Sequence, residues 1–506
     1  MDAYRDARTD HRAEDGDYAL GHLLTAFAGC RVLVLGDVML DRYVLGDVRR
    51  ISPEAPIPVL KAEARRAVPG GAANVARNVA SMGARAILLG VVGDDVGAGE
   101  LAALLAGCGI DHRLVRSPAR PTTVKTRFMS GSHQLLRWDE EDASAIGGEL
   151  EDVVLARFGE ALAAADVVVV SDYAKGVLTD RVLRAAIQQA RDAGLPVIAD
   201  PKRQTFAAYR HASVLTPNLA EVARATGIGE SDDEAVEAAG RLALGQAEAD
   251  AVVVTRSERG LTLVRRDGPC LHVPTRARAV ADVSGAGDTF VAAFAIMVAA
   301  RASLDDAAVV ANIAAGVSVS KPGTAAVDHA ELVAAMHHRE LQAAEDKVVD
   351  LGPALARIAA WRAQGHRVGF TNGCFDLIHP GHVRLLAKAR AACDRLVVGL
   401  NSDASVKRLK GPERPVQNEM ARATVMASIA SADLVVLFEE DTPERLIEAI
   451  RPDMLFKGAD YRVDQVVGGA FVRQHGGQVV LIDLEQGHST TDTIRRITRT
   501  SGAVAL

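Results

Sequence analysis

Two short stretches of the chain hold residue types that can handle phosphate. "DVSGAGDTF" (282–290) sets Gly285, Ala286 and Gly287 ahead of Asp288, and the apolar run "TFVAAFAIMVAA" follows. "TNGCFDLIHPGH" (371–382) sets His379 and His382 three residues apart around Pro380 and Gly381. In the first stretch, small residues let backbone N–H groups converge on an anion. The start of the following helix adds roughly half a positive charge. Such a nest can stabilise charge on a transferred phosphoryl group. Asp288, with an ordinary pKa near ~3.9, is ionised at neutral pH and can accept the proton of an attacking hydroxyl. The same residues also suit a glycine turn with an aspartate capping a helix. This stretch alone leaves both readings open.

In the second stretch, Pro380 suits the first turn of a helix, and "VRLLAKARAA" (383–392) continues with helical spacing. His379 and His382 then share one face at a helix N-terminus. That is a poor place for a cation and a good one for phosphate. A zinc site wants about four ligands, and no Cys/His/Asp cluster of suitable spacing completes the pair, so no metal is expected here. A satisfied core pair stays open, although Gly373 and Gly381 admit close backbone approach and favour a ligand.

The elements that must carry these stretches read as α/β. "CRVLVLGDVMLD" (30–41) and "HRVGFTNGCFD" (366–376) are buried-strand runs ending in polar turns. After the first come "RAILLGVVG", "ADVVVVSDY", "LPVIADP", "ASVLTPN" and "ADAVVVTRS", alternating with helical segments such as "RVLRAAIQQARDAG". "RLVVGLNSD", "ADLVVLFEED", "PDMLFKG" and "QVVLIDL" repeat the style on a smaller scale. Continuous Val/Ile/Leu runs between helices argue for parallel sheets covered on both faces. "PTTVKTRFMSGSHQLLRWDEED" (121–142) reads instead as a hairpin about Ser130-Gly131-Ser132, a possible lid.

The chain has 506 residues, which suggests roughly two to four domains. It carries 58 basic and 65 acidic residues, a net charge of −7, which argues against a generally basic nucleic-acid binder. Its five cysteines form no CxxC pair, so a disulfide framework is not expected and a reducing cytoplasm suits the chain. The start has no apolar signal region, and no run approaches eighteen apolar residues, so no membrane span is expected. Residues 1–25 read as a disordered lead. A first domain is expected over 26–335, a short helical connector over 336–348 and a second domain over 349–506.

Further segments resemble known families. "DVSGAGDTF" and "GGAANVARN" (70–78) resemble the ribokinase-like sugar kinases of the phosphofructokinase-B family, over about 28–332. The resemblance implies a ribokinase-like domain with a β-hairpin lid. Asp288 would be the catalytic base, and Gly285, Ala286 and Gly287 the anion hole. Asp37, Asp41, Gly70, Gly71 and Asn74 would contact the sugar. Asn218 and Glu221 of "TPNLAE" would lie around Mg²⁺ and the ATP phosphates, with Ser257 and Gly260 of "TRSERG" also on ATP. Lys175 of "SDYAKG" is either an ordinary loop lysine or a cation for a phosphate already on the sugar. Lys125, Arg127 and Arg137 in the lid share that ambiguity.

The histidine stretch resembles the HxGH nucleotidyltransferases, over about 347–500, and implies a smaller Rossmann-like domain. His379 and His382 would act at the α-phosphate. Asn372, Gly373, Phe375, Lys388, Lys410, Arg422, Lys457, Ser489, Thr490 and Thr491 would bind the nucleotide. Lys388 and Arg422 could equally be surface charges.

The two units in this order resemble the fused kinase–adenylyltransferases that make ADP-heptose. That resemblance implies ATP and Mg²⁺, sugar phosphates as substrates and a separate heptose-bisphosphate phosphatase. It also implies a homodimer paired through the kinase domain, with neither nucleic acid nor membrane as partner. A fusion acting on another sugar or polyol phosphate, with CTP, stays open, as does a chain in which one half only binds and regulates.

Overall fold

The computed structural model describes residues 21–131, 133–229, 232–275, 280–458, 462 and 465–483. The chain divides into two compact units, Met1–His337 and His338–Leu506. The helix His329–Glu345 runs through that division, so the segment expected as a connector is helical as far as Glu345. Part of the expected lead is ordered. Gly21–Leu24 forms a helical turn, and Leu24 and Phe27 enter the core. The correction has a simple cause: two apolar side chains close to the first strand find a buried face. Residues 1–20 lie outside the described residues.

The first unit is built on a nine-stranded sheet. Its order is Leu271–Val273, Leu261–Arg265, Ala251–Thr255, Val214–Leu215, Val197–Asp200, Val167–Ser171, Arg31–Gly36, Arg85–Leu89, Asp111–His112. From Ala251–Thr255 to Asp111–His112 the neighbours pair parallel; the two strands at the other edge are antiparallel. Strand Arg31–Gly36 shows how sequence makes this sheet. Successive side chains point to opposite faces. Val32 and Val34 enter one core, and Leu33 and Leu35 enter the other. Helices cover both faces, as a near-continuous apolar strand requires.

The run read as one strand over 30–41 divides at Asp37. Val38–Ile51 leaves the main sheet and pairs antiparallel with Pro58–Gly71 and parallel with Val124–Ser130. The expected hairpin, Val124–Ser130 with His133–Glu140, is therefore half of a four-stranded lid sheet. "RISPEAPIPVL" hid the other half, because its prolines and charges break the period-2 signal.

The second unit is a five-stranded parallel sheet in the order Leu434–Phe438, Arg395–Asn401, Val368–Gly373, Met454–Gly458, Gln478–Ile482. Its faces are again divided, with Leu396, Val398 and Leu400 in one core and Val368, Phe370 and Val397 in the other.

Candidate active sites

In the first unit, helix Ala286–Ala299 starts after Gly285, whose φ of 82° is a left-handed conformation that favours glycine. The first-turn N–H groups of such a helix have no partner within it. The helix start borders a cleft of about 210 Å³ whose lining includes Asn218, Glu221, Gly285, Gly287 and Asp288, while the N–H of Ala286 donates to the Val283 carbonyl at 3.4 Å. These five residues lie up to seventy positions apart in the chain, and the fold brings them to one cavity.

Asp288 sits in that first turn and is buried. The Asn74 amide donates to its Oδ2 at 2.6 Å, and the Tyr173 hydroxyl donates to its Oδ1. Burial pushes the carboxyl up to about 6, while the two donors oppose the rise by favouring the charged form. A base poised near 6 is ionised at neutral pH yet basic enough to take a proton.

The remaining candidates of this half are distributed as follows. Asp37 accepts the backbone N–H groups of Tyr173, Lys175 and Val177, at 2.9, 3.0 and 3.1 Å. It therefore anchors the 173–177 loop. Asp41 is buried and paired with Arg127 of the lid. Gly70 packs against it, for a Cβ there would lie 2.2 Å from Asp41 Oδ2. Gly71 has a φ of 58° and opens the helix that carries Asn74. Lys175 Nζ bonds Glu141 at 2.6 Å, and Lys125 stands 3.6 Å from the same carboxylate. Arg137 pairs with Asp139 at 2.9 Å. Asn218 and Glu221 form a reciprocal capping box on helix Leu219–Thr226, and Glu221 also accepts Lys202 Nζ at 2.9 Å. Ser257 and Gly260 lie on the turn after strand Ala251–Thr255 and do not line the cleft. At Gly260 a Cβ would come within 1.9 Å of the Val273 carbonyl.

Tyr173, Asp200, Lys202 and Thr216 also line the cleft, and sequence reasoning missed all four. Each stands at or just after the C-terminal end of a parallel strand, where open α/β sheets carry ligands. That position was the signal available. Burial and the neighbouring Asp288 and Glu221 push the Asp200 carboxyl well up.

In the second unit, His379 is the N-cap of helix Pro380–Ala392 and His382 lies in its first turn. Their rings stack with centroids 3.7 Å apart, and Phe375 meets His382 edge-on at 5.1 Å. Burial, and secondarily His379, push His382 down to about 4. Among the described residues, the buried His382 Nδ1 and Asn372 Oδ1 have no hydrogen-bond partner. Buried polar atoms in that condition call for an explanation, and a ligand supplies one. Gly381 is tied to the pair, since a Cβ there would lie 3.1 Å from the His379 ring. At Gly373 a Cβ would stand 3.1 Å from the Phe375 ring. Ile378, His379, Pro380, Val383 and Arg384 line an open depression beside the pair.

Lys457 Nζ donates to the Asn372 carbonyl at 3.2 Å, and exposed Lys388 to the Asp483 carbonyl at 3.3 Å. The charge of Lys410 reaches Cys374, opposing the rise that burial gives its thiol. Arg422 has a different setting from an open nucleotide contact. It is buried, and donates to the carbonyls of Cys374 and Gln417 at 2.6 and 3.1 Å and to Asp403 at 2.7 Å. Ser489, Thr490 and Thr491 lie outside the described residues.

Fold and sites together define a sugar-kinase unit followed by a nucleotidyltransferase unit. The pfkB family carbohydrate kinase model matches residues 31–330, and the cytidylyltransferase-like model matches 370–496. The solved structure of Escherichia coli phosphofructokinase-2 in complex with potassium matches with a TM-score of 0.52 at 20% identity. It covers 61% of this chain and 99% of that chain, a likeness of fold. The bifunctional protein HldE of Caulobacter vibrioides is 56% identical over 95% of this chain and 99% of its own length. That of Gluconacetobacter diazotrophicus is 52% identical over 94% and 99%. The chain belongs to the family of bifunctional HldE proteins.

Proposed function

We propose that the chain carries out two steps of ADP-heptose synthesis. The first unit phosphorylates D-glycero-β-D-manno-heptose 7-phosphate at O1 with ATP. A separate phosphatase removes the 7-phosphate. The second unit transfers AMP from ATP to heptose 1-phosphate, releasing pyrophosphate and giving ADP-heptose for the lipopolysaccharide inner core. The observation that supports this most is the presence on one family member of two separate phosphate-handling helix N-termini. One is armed with a buried carboxylate, the other with a stacked histidine pair.

In the first step Asp288 accepts the O1 proton, and the N–H groups at Gly285–Gly287 hold charge on the transferred phosphoryl group. Asn218 and Glu221 carry the oxygens that would lie nearest Mg²⁺, a hard ion that keeps several waters, although in the free protein those oxygens accept the capping-box N–H groups and Lys202 Nζ. When bound, the ion neutralises charge on the ATP phosphates. In the second step His379 and His382 donate to the α-phosphate, while Asn372, Lys457 and Lys410 face the rest of the nucleotide. Positioning and charge stabilisation supply most of the catalysis.

Among the described residues no helix is long and apolar enough to cross a membrane, which suits a cytoplasmic enzyme. Leu136 and Trp138 of the lid are exposed, and their apolar surface supports pairing of two copies through the lids.

The test is to incubate the full chain with heptose 7-phosphate, ATP and Mg²⁺, with and without a bisphosphatase, and to identify products by mass. Heptose bisphosphate without the phosphatase, and ADP-heptose with it, are expected. Product formation with CTP in place of ATP in the second step would overturn the adenylyl assignment.

A further inference from the structure

Both oxygens of the Asp288 carboxylate are already engaged in the free protein, one by Asn74 and one by Tyr173. The Tyr173 phenol is itself pushed well up, by burial and by the charge of Asp288, so it remains a donor across the working pH range. Its backbone is fixed independently. The Tyr173 N–H donates to Asp37 Oδ2, and the next residue, Ala174, has a φ of 54° while its N–H donates to Asp172 Oδ1 at 2.7 Å. Gly176 completes the loop with a φ of 87°, and a Cβ there would lie 1.9 Å from the Ser144 carbonyl. A non-glycine residue with positive φ persists only where its surroundings over-determine it. Here those surroundings aim one hydroxyl at one carboxylate.

We infer that Tyr173 is a positioning residue for phosphoryl transfer: anchored by Asp37, it holds Asp288 oriented and ionised until the sugar hydroxyl replaces it. This rests on the reading of Asp288 as the base. The exchange leaves the chemistry balanced. The sugar O1–H bond breaks and its proton goes to the Asp288 oxygen vacated by Tyr173. A new O1–P bond forms as the bond to the bridging oxygen breaks, and that electron pair leaves on ADP. Asn74 keeps the second oxygen in place throughout.

The groups facing Asp288 from neighbouring elements are Asp41, Arg77, Tyr173 and Asp200. Asp41 and Asp200 disfavour its charge; Arg77 and the two donors favour it. Removing one donor therefore raises its pKa further. In the full-length protein, Tyr173→Phe keeps the ring and loses only the hydroxyl. The acid limb of kcat/KM for sugar phosphorylation, which reports the free enzyme, is expected to move up by about one pH unit. With the parent limb near 6, activity then falls about fivefold at pH 6, approaches a tenfold fall below pH 5 and is almost unchanged at pH 8. The acid limb of kcat moves less, because the sugar has already displaced the tyrosine. Substrate phosphates titrate in the same range but identically for both proteins, so the difference isolates the enzyme.

Asp37→Asn, which loosens the Tyr173 anchor, is expected to shift the limb in the same direction and by less, and it serves if the phenylalanine variant misfolds. An equal loss at every pH would overturn the inference and leave Tyr173 a packing residue. Asp288→Asn is run alongside. Retained phosphorylation there would sink the assignment of the base, whereas its loss together with an unshifted Tyr173→Phe profile would sink only the role of the tyrosine.

Discussion

The rings of His379 and His382 stack 3.7 Å apart at the start of one helix, with His382 turned into the buried side against Phe375. Two imidazolium ions at that separation repel, and burial disfavours charge on the inner ring. The pair therefore enters the reaction with His382 neutral at pH 7.

A pH dependence follows from that pair. His382 titrates near 6.5 when unfolded and near 4 when folded. Between those values the unfolded chain binds the extra proton, so stability falls as pH drops from 6.5 towards 4 and levels off below. Denaturant midpoints of the second unit's transition, measured across pH 4–7 in the parent protein and in His382→Asn, should converge towards low pH. The ring itself, followed by NMR, should titrate near 4 in the free protein and move up when ATP is added. A ring titrating at its ordinary value in the free protein would contradict the burial argument.

Arg422 makes a different kind of prediction. The guanidinium is buried and donates to two carbonyls and one carboxylate. Removing it empties the buried site of the guanidinium and takes the donor away from all three partly buried acceptors. Arg422→Ala should destabilise the second unit by about 3–5 kcal/mol, and Arg422→Lys should not restore it, since a lysine cannot reproduce the planar fork. Denaturant unfolding measures this. Near-normal stability with only a raised KM for ATP would return Arg422 to direct nucleotide binding.

Lys175 and Glu141 bridge the loop and the lid. If the sugar's own phosphate takes the place of Glu141, Lys175→Met should raise KM for heptose 7-phosphate about tenfold with kcat nearly unchanged, the pattern of lost uniform binding. Glu141→Gln should lower KM, because it removes a competing carboxylate. Steady-state kinetics on both variants decide between a phosphate contact and a lid latch. A latch would make the two variants fail alike.

Much of the architecture was legible because buried parallel strands declare themselves as unbroken Val/Ile/Leu runs. "DVVVVS" and "RLVVGLN" could hardly be anything else. The lid was half legible. Its hairpin carries a clear turn, whereas Val38–Ile51 and Pro58–Gly71 are long, charged and partly exposed, with a period too weak to read. At the sites, Asp288 and His379 stood out as candidates because they sit in short signatures, and the family resemblance, not spacing, supplied their expected roles. Tyr173 and Asp200 could not, because their role comes from strand ends that only the sheet order brings beside Asp288. Arg422 was visible as a charge, but its burial was not, since burial depends on the loop that folds over it.

The account rests on two independent chemical centres, and paired single substitutions in the full-length protein test it most directly. Phosphorylation of heptose 7-phosphate and adenylyl transfer to supplied heptose 1-phosphate are each measured for Asp288→Asn and His379→Ala. Asp288→Asn should lower the first rate by about 10²–10⁴-fold and leave the second unchanged, and His379→Ala should do the reverse. Loss of both reactions from either substitution in a folded protein would contradict the account.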